Sequence, residues 1–354
     1  MSQKRIVIIG WAESVHVGRW ARGLAGRGYD VKIVSAGGAP VENIDTAVLP
    51  RGGGFSYLRH ASAAAEQVRR FEPDLVHVHY AGGFGLCGMR AGVRPLVVSV
   101  WGSDIVDLPR SWPNRYLLKK LLRRADHITA TSRMLKTATL AYMSGEDEKV
   151  SVVPFGINVP DSCPPLPEGP PRLCFMKKLR PLTGPDLLLK ALAKAREKID
   201  GISLTIAGDG PMTGELKQLT ADLGLNDCVN FAGWIPNERI PDLLAEHHIM
   251  VMPSLKEAFG VAVLEANACG RPVITSDAGG IAEVVRDNET GIMTPAGDVD
   301  RLAQAIVKLA GDRELMSRMG RAGYEFVEQN YSWEKSLDMM TELYERLIHE
   351  KAKD

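Results

Sequence analysis

Long apolar stretches and cysteines are scarce in this 354-residue sequence. No run of 18 apolar residues occurs, so no helix is expected to cross a membrane, and the six-residue apolar segment from Ile6 is better interpreted as a strand than as a signal peptide. The five cysteines are scattered and form no C-x-x-C pair, which favours buried thiols in a reducing compartment. The expected location is cytoplasmic, with association at the cytoplasmic face of a membrane left open.

Net charge is also absent, because 43 basic side chains balance 43 acidic ones. The balance hides an asymmetry: residues 1–155 hold 21 Lys and Arg against 13 Asp and Glu, a net of +8, whereas the rest holds 22 against 30, a net of −8. A basic lobe attracts anionic partners, so peripheral membrane contact through the N-terminal half is one expectation. Its basic residues are not interleaved with aromatic ones and no nucleic-acid motif occurs, so no nucleic acid partner is expected.

Apolar runs alternate with helix-like stretches along the whole chain, and runs that are apolar nearly throughout indicate parallel strands covered on both faces. The predicted strands are 5–9, 31–35, 46–49, 74–79, 95–101, 126–130, 149–153, 173–176, 203–207, 229–233, 248–252 and 272–276. Seven prolines between residues 154 and 171 interrupt the alternation, and proline continues neither a helix nor a central strand. The sequence therefore predicts an α/β fold of two tandem Rossmann-like, doubly wound domains with a substrate cleft between them.

Two glutamates, Glu257 and Glu265, lie in the segment SLKEAFGVAVLEANACG between two strand-like runs. If residues 258–269 form a helix, Glu265 lies about 80° around the axis and about 12 Å along it from Glu257. Taken alone, the spacing is more simply explained by an ordinary surface helix with one glutamate in its first turn and the other on a solvated face. The strand, helix, strand setting favours a ligand site instead, because ligands bind at the carboxyl ends of such strands.

The amides of Phe259, Gly260 and Val261 would belong to the first turn of that helix. Backbone N–H groups there have no intrahelical acceptor, and the helix dipole is positive at this end. An anion between two carboxylates that bind hydroxyl groups fits this arrangement. A sugar nucleotide has that layout, with a sugar, a diphosphate and a ribose.

The stretch PSLKEAFGVAVLEANACGRPVITSDAGGIAEVV (253–285) resembles the donor-site signature of the retaining GT-B glycosyltransferases of glycosyltransferase family 4, the group 1 glycosyl transferases. Other pieces follow in the family's order, namely PDLVHVH, VPFGIN, IAGDGP, FAGWIP and a final helix opening at Tyr331. The resemblance covers essentially the whole chain. It implies an acceptor domain at 1–160, a nucleotide-sugar donor domain at 172–330 and a last helix, 331–354, that packs back on the first domain.

The resemblance also implies roles for donor-binding residues. Glu265 would hold the ribose hydroxyls, and Glu257 would orient the reacting sugar and stabilise charge. The amides of Phe259, Gly260 and Val261 would contact the diphosphate. The backbone at Trp234 and Ile235 would contact the base, and the loop at Gly10 would face the donor phosphates.

A departure from the family occurs where it usually carries an arginine and a lysine that neutralise the diphosphate. Lys178 stands at the arginine position and Thr183 at the lysine position. Lys177 and Arg180 are nearby candidates to restore the charge, since a developing diphosphate leaving group needs cations. We predict that Lys177 or Lys178 contacts phosphate, and the choice between them stays open.

On the acceptor side, Trp101 replaces the family's histidine at the end of a strand, so a catalytic histidine cannot be carried over. Its indole would line the acceptor site, although a half-buried structural aromatic is the alternative. Asp104 keeps the family's position and is assigned a catalytic role. His79 and His16 are the other acceptor-side candidates, with a hydrogen-bonded core histidine and an exposed histidine as the structural alternatives.

Three further motifs have structural explanations. Gly83, Gly85 and Gly88 match G-x-G-x-x-G, which makes a nicotinamide-binding fold a rival, but tight helix packing also explains them. Asp298-x-Asp300 is more simply a helix N-cap, and we predict no metal. The segment 110–124 is expected to turn four leucines, 117, 118, 121 and 122, to the core and a basic face outward, with membrane docking as the alternative.

Taken together, the residues and the resemblance predict a retaining, metal-independent hexosyltransferase without a cofactor. It would move a sugar from a nucleotide diphosphate, with a UDP-sugar favoured, to a glycan or lipid-linked acceptor in bacterial polysaccharide or lipopolysaccharide synthesis. The alternatives are an NAD(P)-dependent oxidoreductase and a catalytically silent GT-B protein that binds nucleotide.

Overall fold

The computed structural model describes residues 3–50, 56–107, 111–143 and 145–353. Arg110, which the sequence placed at the start of a basic helix, and the terminal residues 1, 2 and 354 lie outside these ranges. Contacts divide the chain into two units, Met1–Phe155 with Glu334–Asp354 and Gly156–Trp333. Within the described ranges, no helix combines the length and apolarity needed to cross a bilayer.

The first unit contains a parallel sheet whose strands run in the order β3-β2-β1-β4-β5-β6-β7. Its strands are β1 (Arg5–Ile9), β2 (Asp30–Ala36), β3 (Asp45–Leu49), β4 (Leu75–His79), β5 (Leu96–Val100), β6 (His127–Ala130) and β7 (Val150–Val152). Its helices are α1 (Val15–Gly26), α2 (Ser56–Phe71), α3 (Gly83–Ala91), α4 (Ser103–Val106), α5 (Trp112–Arg124) and α6 (Arg133–Leu140). Every residue of β4 and β5 is buried, as expected for central parallel strands covered on both faces.

The second unit repeats the plan with the order β10-β9-β8-β11-β12-β13, again parallel. Its strands are β8 (Arg172–Met176), β9 (Ser203–Ala207), β10 (Val229–Gly233), β11 (Ile249–Met252), β12 (Val273–Ser276) and β13 (Gly291–Thr294). Its helices are α7 (Pro185–Arg196), α8 (Thr213–Asp222), α9 (Ile240–Ala245), α10 (Val261–Ala268), α11 (Val299–Ala310) and α12 (Arg313–Tyr331). The sequence did not predict β13, because its four residues, GIMT, include a glycine and form no long apolar run.

The last helix, α13 (Trp333–Lys351), belongs from Glu334 onward to the first unit. Its Tyr344 is fully buried and contacts His77 of β4. Glu345 pairs with Lys4 and accepts a hydrogen bond of 2.7 Å from the Tyr29 hydroxyl. Two hydrogen bonds and an ion pair thus attach the end of the chain to the first unit.

Helix α5 differs in one respect from the sequence prediction. Leu118, Leu121 and Leu122 are buried as expected, but Leu117 is 44% exposed, so its assignment to the core face was wrong. Residues 118, 121, 122 and 125 form one stripe at helical spacing, and residue 117 lies at its edge. Leu117 is instead exposed, as are Trp112 and Tyr116 of the same helix.

Candidate functional site

The strand order of the second sheet reverses between β8 and β11, the point at which doubly wound sheets bind ligands. Lys177 follows β8, and Glu257 lies in the loop after β11. The Lys177 Nζ atom is 2.5 Å from Glu257 Oε2, and the Ala258 amide donates to Glu257 Oε1 at 3.2 Å. Both side chains of the ion pair are mostly buried, at 24% and 15% exposure, so water screens the pair less than it would at the surface.

Helix α10 begins at Val261 rather than at residue 258, which corrects the sequence prediction. Gly260 has a φ of +107°, which glycine adopts readily and other residues rarely do. The turn at Gly260 follows Phe259, whose ring is buried and lies 6.0 Å from the ring of Tyr331. Glu257, Phe259 and Gly260 therefore precede the helix, and of the three predicted first-turn amides only that of Val261 belongs to it.

Two glycine loops support the backbone on which Lys177 and Glu257 lie. A Cβ on Gly208 would lie 2.0 Å from the Lys177 carbonyl oxygen, and one on Gly280 would lie 2.2 Å from the Ala258 carbonyl oxygen. The Gly280 amide also donates to the Glu257 carbonyl oxygen at 2.9 Å. Only glycine permits such close backbone approach, so the loops after β9 and β12 hold the charged pair in place.

A cavity of about 610 Å³ opens at this end of the second sheet. It is lined by Met176, Lys177, Lys178, Ala207, Gly208, Asp209, Gly210, Trp234, Ile235, Asn237, Ile240 and Glu265. Five of the predicted donor-binding residues thus line one cavity, with cationic, aromatic and carboxylate groups around it. The sequence interpretation missed the Asp209–Gly210 loop, although IAGDGP was one of its family motifs.

Thr183 has a structural role at the position where the family usually carries lysine. Its Oγ1 atom lies 2.7 Å from the Lys178 carbonyl oxygen and 2.8 Å from that of Arg180. The hydroxyl group closes the loop that presents the lysines. Positive charge at the cavity therefore comes from Lys177 and Lys178, which line it, whereas Arg180 is not among the lining residues given above.

The strand order of the first sheet reverses between β1 and β4, which makes this its topological switch point, and a second cavity of about 430 Å³ lies there. It is lined by Trp11, Glu13, Ser14, His79, Tyr80, Gly83, Phe84 and Trp101. Ser14 occupies the N-cap position of α1, but its side chain makes no capping hydrogen bond. The carboxylate of Glu13 accepts a hydrogen bond of 3.2 Å from the Trp11 indole N–H. Gly10, which precedes this loop, packs against β4: a Cβ there would lie 3.2 Å from the His79 Cβ.

The structure brings together the three predicted acceptor-side residues. The Trp101 ring lies 5.2 Å from that of His79 and 5.6 Å from that of His16. Phe155, which the sequence did not single out, stacks on His16 at 4.0 Å. Burial, reinforced by Arg19, lowers the pKa of His16 to about 4, so its ring is neutral near pH 7.

Asp104 is a buried carboxylate that orders the turn after β5. It accepts amide hydrogen bonds from Ala81 at 2.9 Å, Trp101 at 3.0 Å and Gly102 at 2.8 Å. Burial raises its pKa above the usual value, and these amides oppose the rise. The contacts assign it to positioning Trp101 and the chain after β4, and its catalytic role stays a prediction.

The remaining motifs have structural functions. A Cβ on Gly85 would lie 2.2 Å from a Leu121 methyl group, and one on Gly88 would lie 2.4 Å from a Val78 methyl group, so these glycines allow close packing. Asp298 caps α11 by accepting from the Arg301 amide, and Asp300 pairs with Lys194. Across the described ranges, no group of three or more His, Cys, Asp or Glu side chains is placed to hold a metal ion.

Two family models match the chain. Residues 163–326 match "Glycosyl transferases group 1", and residues 5–132 match "Glycosyl transferase 4-like". Among curated proteins, a GDP-mannose-dependent phosphatidylinositol monomannoside mannosyltransferase of Mycolicibacterium smegmatis is 28% identical over 86% of this chain and 83% of its own length. An N-acetyl-alpha-D-glucosaminyl L-malate synthase of Bacillus anthracis is 29% identical over 80% of this chain and 77% of its own.

Solved structures share the fold at lower identity. Sucrose-phosphate synthase from Thermosynechococcus elongatus superposes with a TM-score of 0.83 at 22% identity, covering 98% of this chain and all of that one. Anabaena HepE in complex with UDP and glucose also gives 0.83, at 20% identity and the same coverage. The predicted resemblance is confirmed: the chain is a glycosyltransferase of the GT-B fold and belongs to the group 1, family 4-like glycosyltransferases.

Proposed function

We propose that this glycosyltransferase moves a hexose-type sugar, with retention of anomeric configuration, from a nucleotide diphosphate to a hydroxyl group of a glycan or lipid-linked acceptor. One observation carries the proposal: Lys177, Lys178, Trp234 and Glu265 line a single cavity at the switch point of the second sheet. Cations suit a diphosphate, an aromatic ring suits a base, and a carboxylate suits ribose hydroxyls. The proposed product belongs to bacterial polysaccharide or lipopolysaccharide synthesis.

The proposed chemistry needs no further cofactor. The bond between the anomeric carbon and the diphosphate oxygen breaks, and the acceptor oxygen bonds to that carbon on the same face. The acceptor's proton passes to the departing phosphate oxygen. Lys177 and Lys178 stabilise the developing negative charge, and Glu257 orients the sugar hydroxyls and stabilises positive charge on the ring. Because the lysines supply the positive charge, we expect turnover without a divalent metal.

The identity of the base is a matter for experiment. The sequence favoured a UDP-sugar, and Anabaena HepE was solved with UDP and glucose. The mycobacterial relative is GDP-mannose-dependent. The cavity residues near Trp234 are Ile235, Asn237 and Ile240, which offer apolar walls and one amide side chain. A panel of UDP-, GDP- and ADP-sugars, read out by nucleotide release in EDTA, distinguishes the donors and tests metal independence together.

Replacing Glu265 with alanine is expected to weaken nucleotide binding by about tenfold to a hundredfold, because two ribose hydroxyls lose a charged acceptor. Calorimetry with UDP, GDP and ADP measures the effect. Glu215→Ala, at an exposed position in the first turn of α8, is the matched control and should bind like the wild type. Equal affinity of both variants for the preferred nucleotide would contradict the ribose assignment.

The two alternatives make different predictions for the same samples. Binding of NAD alone, with no nucleoside diphosphate bound, would favour an oxidoreductase and overturn the proposal. Nucleotide binding without release from any donor would favour a catalytically silent protein, for which the replacements at Trp101 and Thr183 are the sequence basis. Release that disappears in EDTA would contradict metal independence and leave the donor site intact.

We also propose peripheral docking of α5 on the cytoplasmic face of an anionic membrane. Trp112 is 80% exposed, Tyr116 is 62% exposed and Leu117 is 44% exposed. The basic residues of the helix are Arg115, which lies over the Tyr142 ring, the half-buried Lys119, and the exposed Lys120, Arg123 and Arg124. Exposed aromatic side chains together with lysines and arginines are typical of helices that lie in the membrane interface.

Flotation with vesicles that contain phosphatidylglycerol should recover the wild type, and vesicles of phosphatidylcholine alone should not. Removing the charges at Lys119, Lys120, Arg123 and Arg124 is expected to abolish recovery, since each basic residue near an anionic surface contributes about 1 kcal/mol. A variant with the same number of charges removed from the exposed lysines of the second unit is the control. Docking by α5 would be contradicted if neither the wild type nor the variants floated with the vesicles, or if flotation of the wild type did not depend on salt.

A further inference from the structure

A chain of buried hydrogen bonds connects α13 to the sheet of the first unit. The Tyr344 hydroxyl lies 2.5 Å from His77 Nδ1, and His77 Nε2 lies 2.7 Å from the Ser99 hydroxyl. Ser99 continues to the Thr129 hydroxyl at 2.6 Å. All four side chains are at most 5% exposed, so water does not replace these bonds. Polar groups buried in this way need complementary donors and acceptors.

The direction of each bond follows from the proton count. Burial raises the pKa of Tyr344 well above its usual value, so the phenol keeps its proton. Among the described residues, His77 Nδ1 is the one hydrogen-bond partner recorded for that hydroxyl, so the O–H donates and Nδ1 accepts. Burial lowers the pKa of His77 and keeps the ring neutral. Its single proton is then on Nε2 and is donated to Ser99.

The same logic sets the proton on the neighbouring ring. The single lone pair of His77 Nδ1 already accepts the shorter bond from Tyr344, so this nitrogen has no proton to donate to His79. His79 Nε2 lies 3.3 Å from the same nitrogen, as the longer branch of a three-centre bond. The proton between the two rings therefore belongs to His79 Nε2. Burial, followed by the electrostatic effect of the neighbouring His16, lowers the pKa of His79 to about 3, so this ring is also neutral and its Nδ1 has no proton.

His79 Nδ1 is a buried acceptor without a hydrogen-bond partner in the described part of the chain. The residue lines the 430 Å³ cavity with the aromatic side chains of Trp11, Phe84 and Trp101, and Glu13, Ser14 and Tyr80 add polar groups to the lining. Such a cavity suits a ring with apolar C–H faces and hydroxyl edges, and an O–H donor is the complement of a bare ring nitrogen.

We propose that Tyr344, acting through His77, holds His79 as the Nε2–H tautomer, so that His79 Nδ1 accepts a hydrogen bond from a ring hydroxyl of the acceptor bound in this cavity. The acceptor role rests on the proposed glycosyl transfer, whereas the tautomer does not. Tyr344 is a positioning residue in this arrangement. It supplies the donor that keeps His77 Nδ1 unprotonated.

Nitrogen NMR of histidine-labelled protein tests the tautomer without any turnover. In the wild type, His79 Nδ1 should show the shift of an unprotonated ring nitrogen, with the signal assigned from its loss in His79→Asn. In Tyr344→Phe the donor to His77 is missing, so the fraction of His79 protonated at Nδ1 should rise. Tyr29→Phe is the matched control, because it removes another tyrosine hydroxyl bonded to α13 and leaves the histidines untouched.

Titration with methyl α-D-mannopyranoside and with myo-inositol then tests the cavity. Binding of either ring should move the His79 Nδ1 signal, and its affinity for Tyr344→Phe should fall about fivefold relative to Tyr29→Phe. A wild-type His79 protonated at Nδ1, or a Tyr344→Phe spectrum equal to that of Tyr29→Phe, overturns the relay. If His79 has the predicted tautomer but neither methyl α-D-mannopyranoside nor myo-inositol shifts its Nδ1 signal, the acceptor role is overturned. Failure of nucleotide binding would refute the proposed function and leave the tautomer result unchanged.

Discussion

Glu257→Gln is expected to lower kcat about a hundredfold to a thousandfold with the preferred donor, while the Kd for the nucleoside diphosphate stays the same or falls slightly. The carboxylate is mostly buried, and its position is set by Lys177 and by the Ala258 amide. A glutamine loses the negative charge that stabilises the transition state, and losing one such preorganised group has effects of this size. Lys177 is then released from its ion pair and available to phosphate, which explains the sign of the change in Kd.

Steady-state nucleotide release measures kcat, and calorimetry measures Kd. Glu289→Gln is the matched control, since it removes one carboxylate charge from an exposed pair with Arg286. A double-mutant cycle with Lys177→Met should show coupling between the two positions, because either single change leaves its partner unpaired. Full activity of Glu257→Gln would exclude Glu257 from the donor site.

Gly280→Ala is expected to destabilise the second unit by about 3 kcal/mol and to abolish transfer. The added Cβ would lie 2.2 Å from the Ala258 carbonyl oxygen, a backbone atom that cannot rotate away. Relief of the clash must move the chain that includes Glu257, whose carbonyl accepts the Gly280 amide. The expected destabilisation is steric and does not come from backbone strain, because Gly280 has no positive φ. The glycines with positive φ are Gly279 in the same loop and Gly260 in the neighbouring loop.

Urea unfolding and donor turnover of the same preparations provide the test. Gly214→Ala is the control, because this glycine lies in α8 and a Cβ there would meet no atom within 4 Å. An alanine inside a helix should stabilise the protein by about 0.5 to 1 kcal/mol and leave turnover unchanged. Wild-type stability and activity of Gly280→Ala would show that the loop adapts, and Glu257 would then not depend on it.

The outline of both sheets was predictable because buried parallel strands are apolar nearly throughout. The runs at 74–79 and 95–101 became β4 and β5, in which every residue is buried. The errors occur where this signal is weak. Strand β13 is short and contains a glycine, and the start of α10 depends on the positive φ of Gly260 rather than on hydrophobic periodicity.

The sequence predicted the lining of the 610 Å³ cavity in the second unit better than it predicted the partners of the histidines in the first unit. Lys177, Lys178, Trp234 and Ile235 directly follow strands, and Glu265 lies in the helix after β11, so their convergence follows from the sheet topology. The partners of the histidines were not predictable in this way. Tyr344 lies 267 residues from His77 in the sequence, and no local pattern marks it as a hydrogen-bond donor to β4.

Local pattern was sufficient to establish the fold class, the two tandem sheets and the family, because each depends on residues that are neighbours in the sequence or in a motif. Contacts between distant segments were required for the rest. The Lys177–Glu257 pair, the glycine loops that support it and the protonation of His79 depend on strand order and on packing at distances of 2 to 4 Å. Such distances are established only when the whole unit folds, since hydrogen bonds and steric contacts are short-ranged and their partners come from different elements.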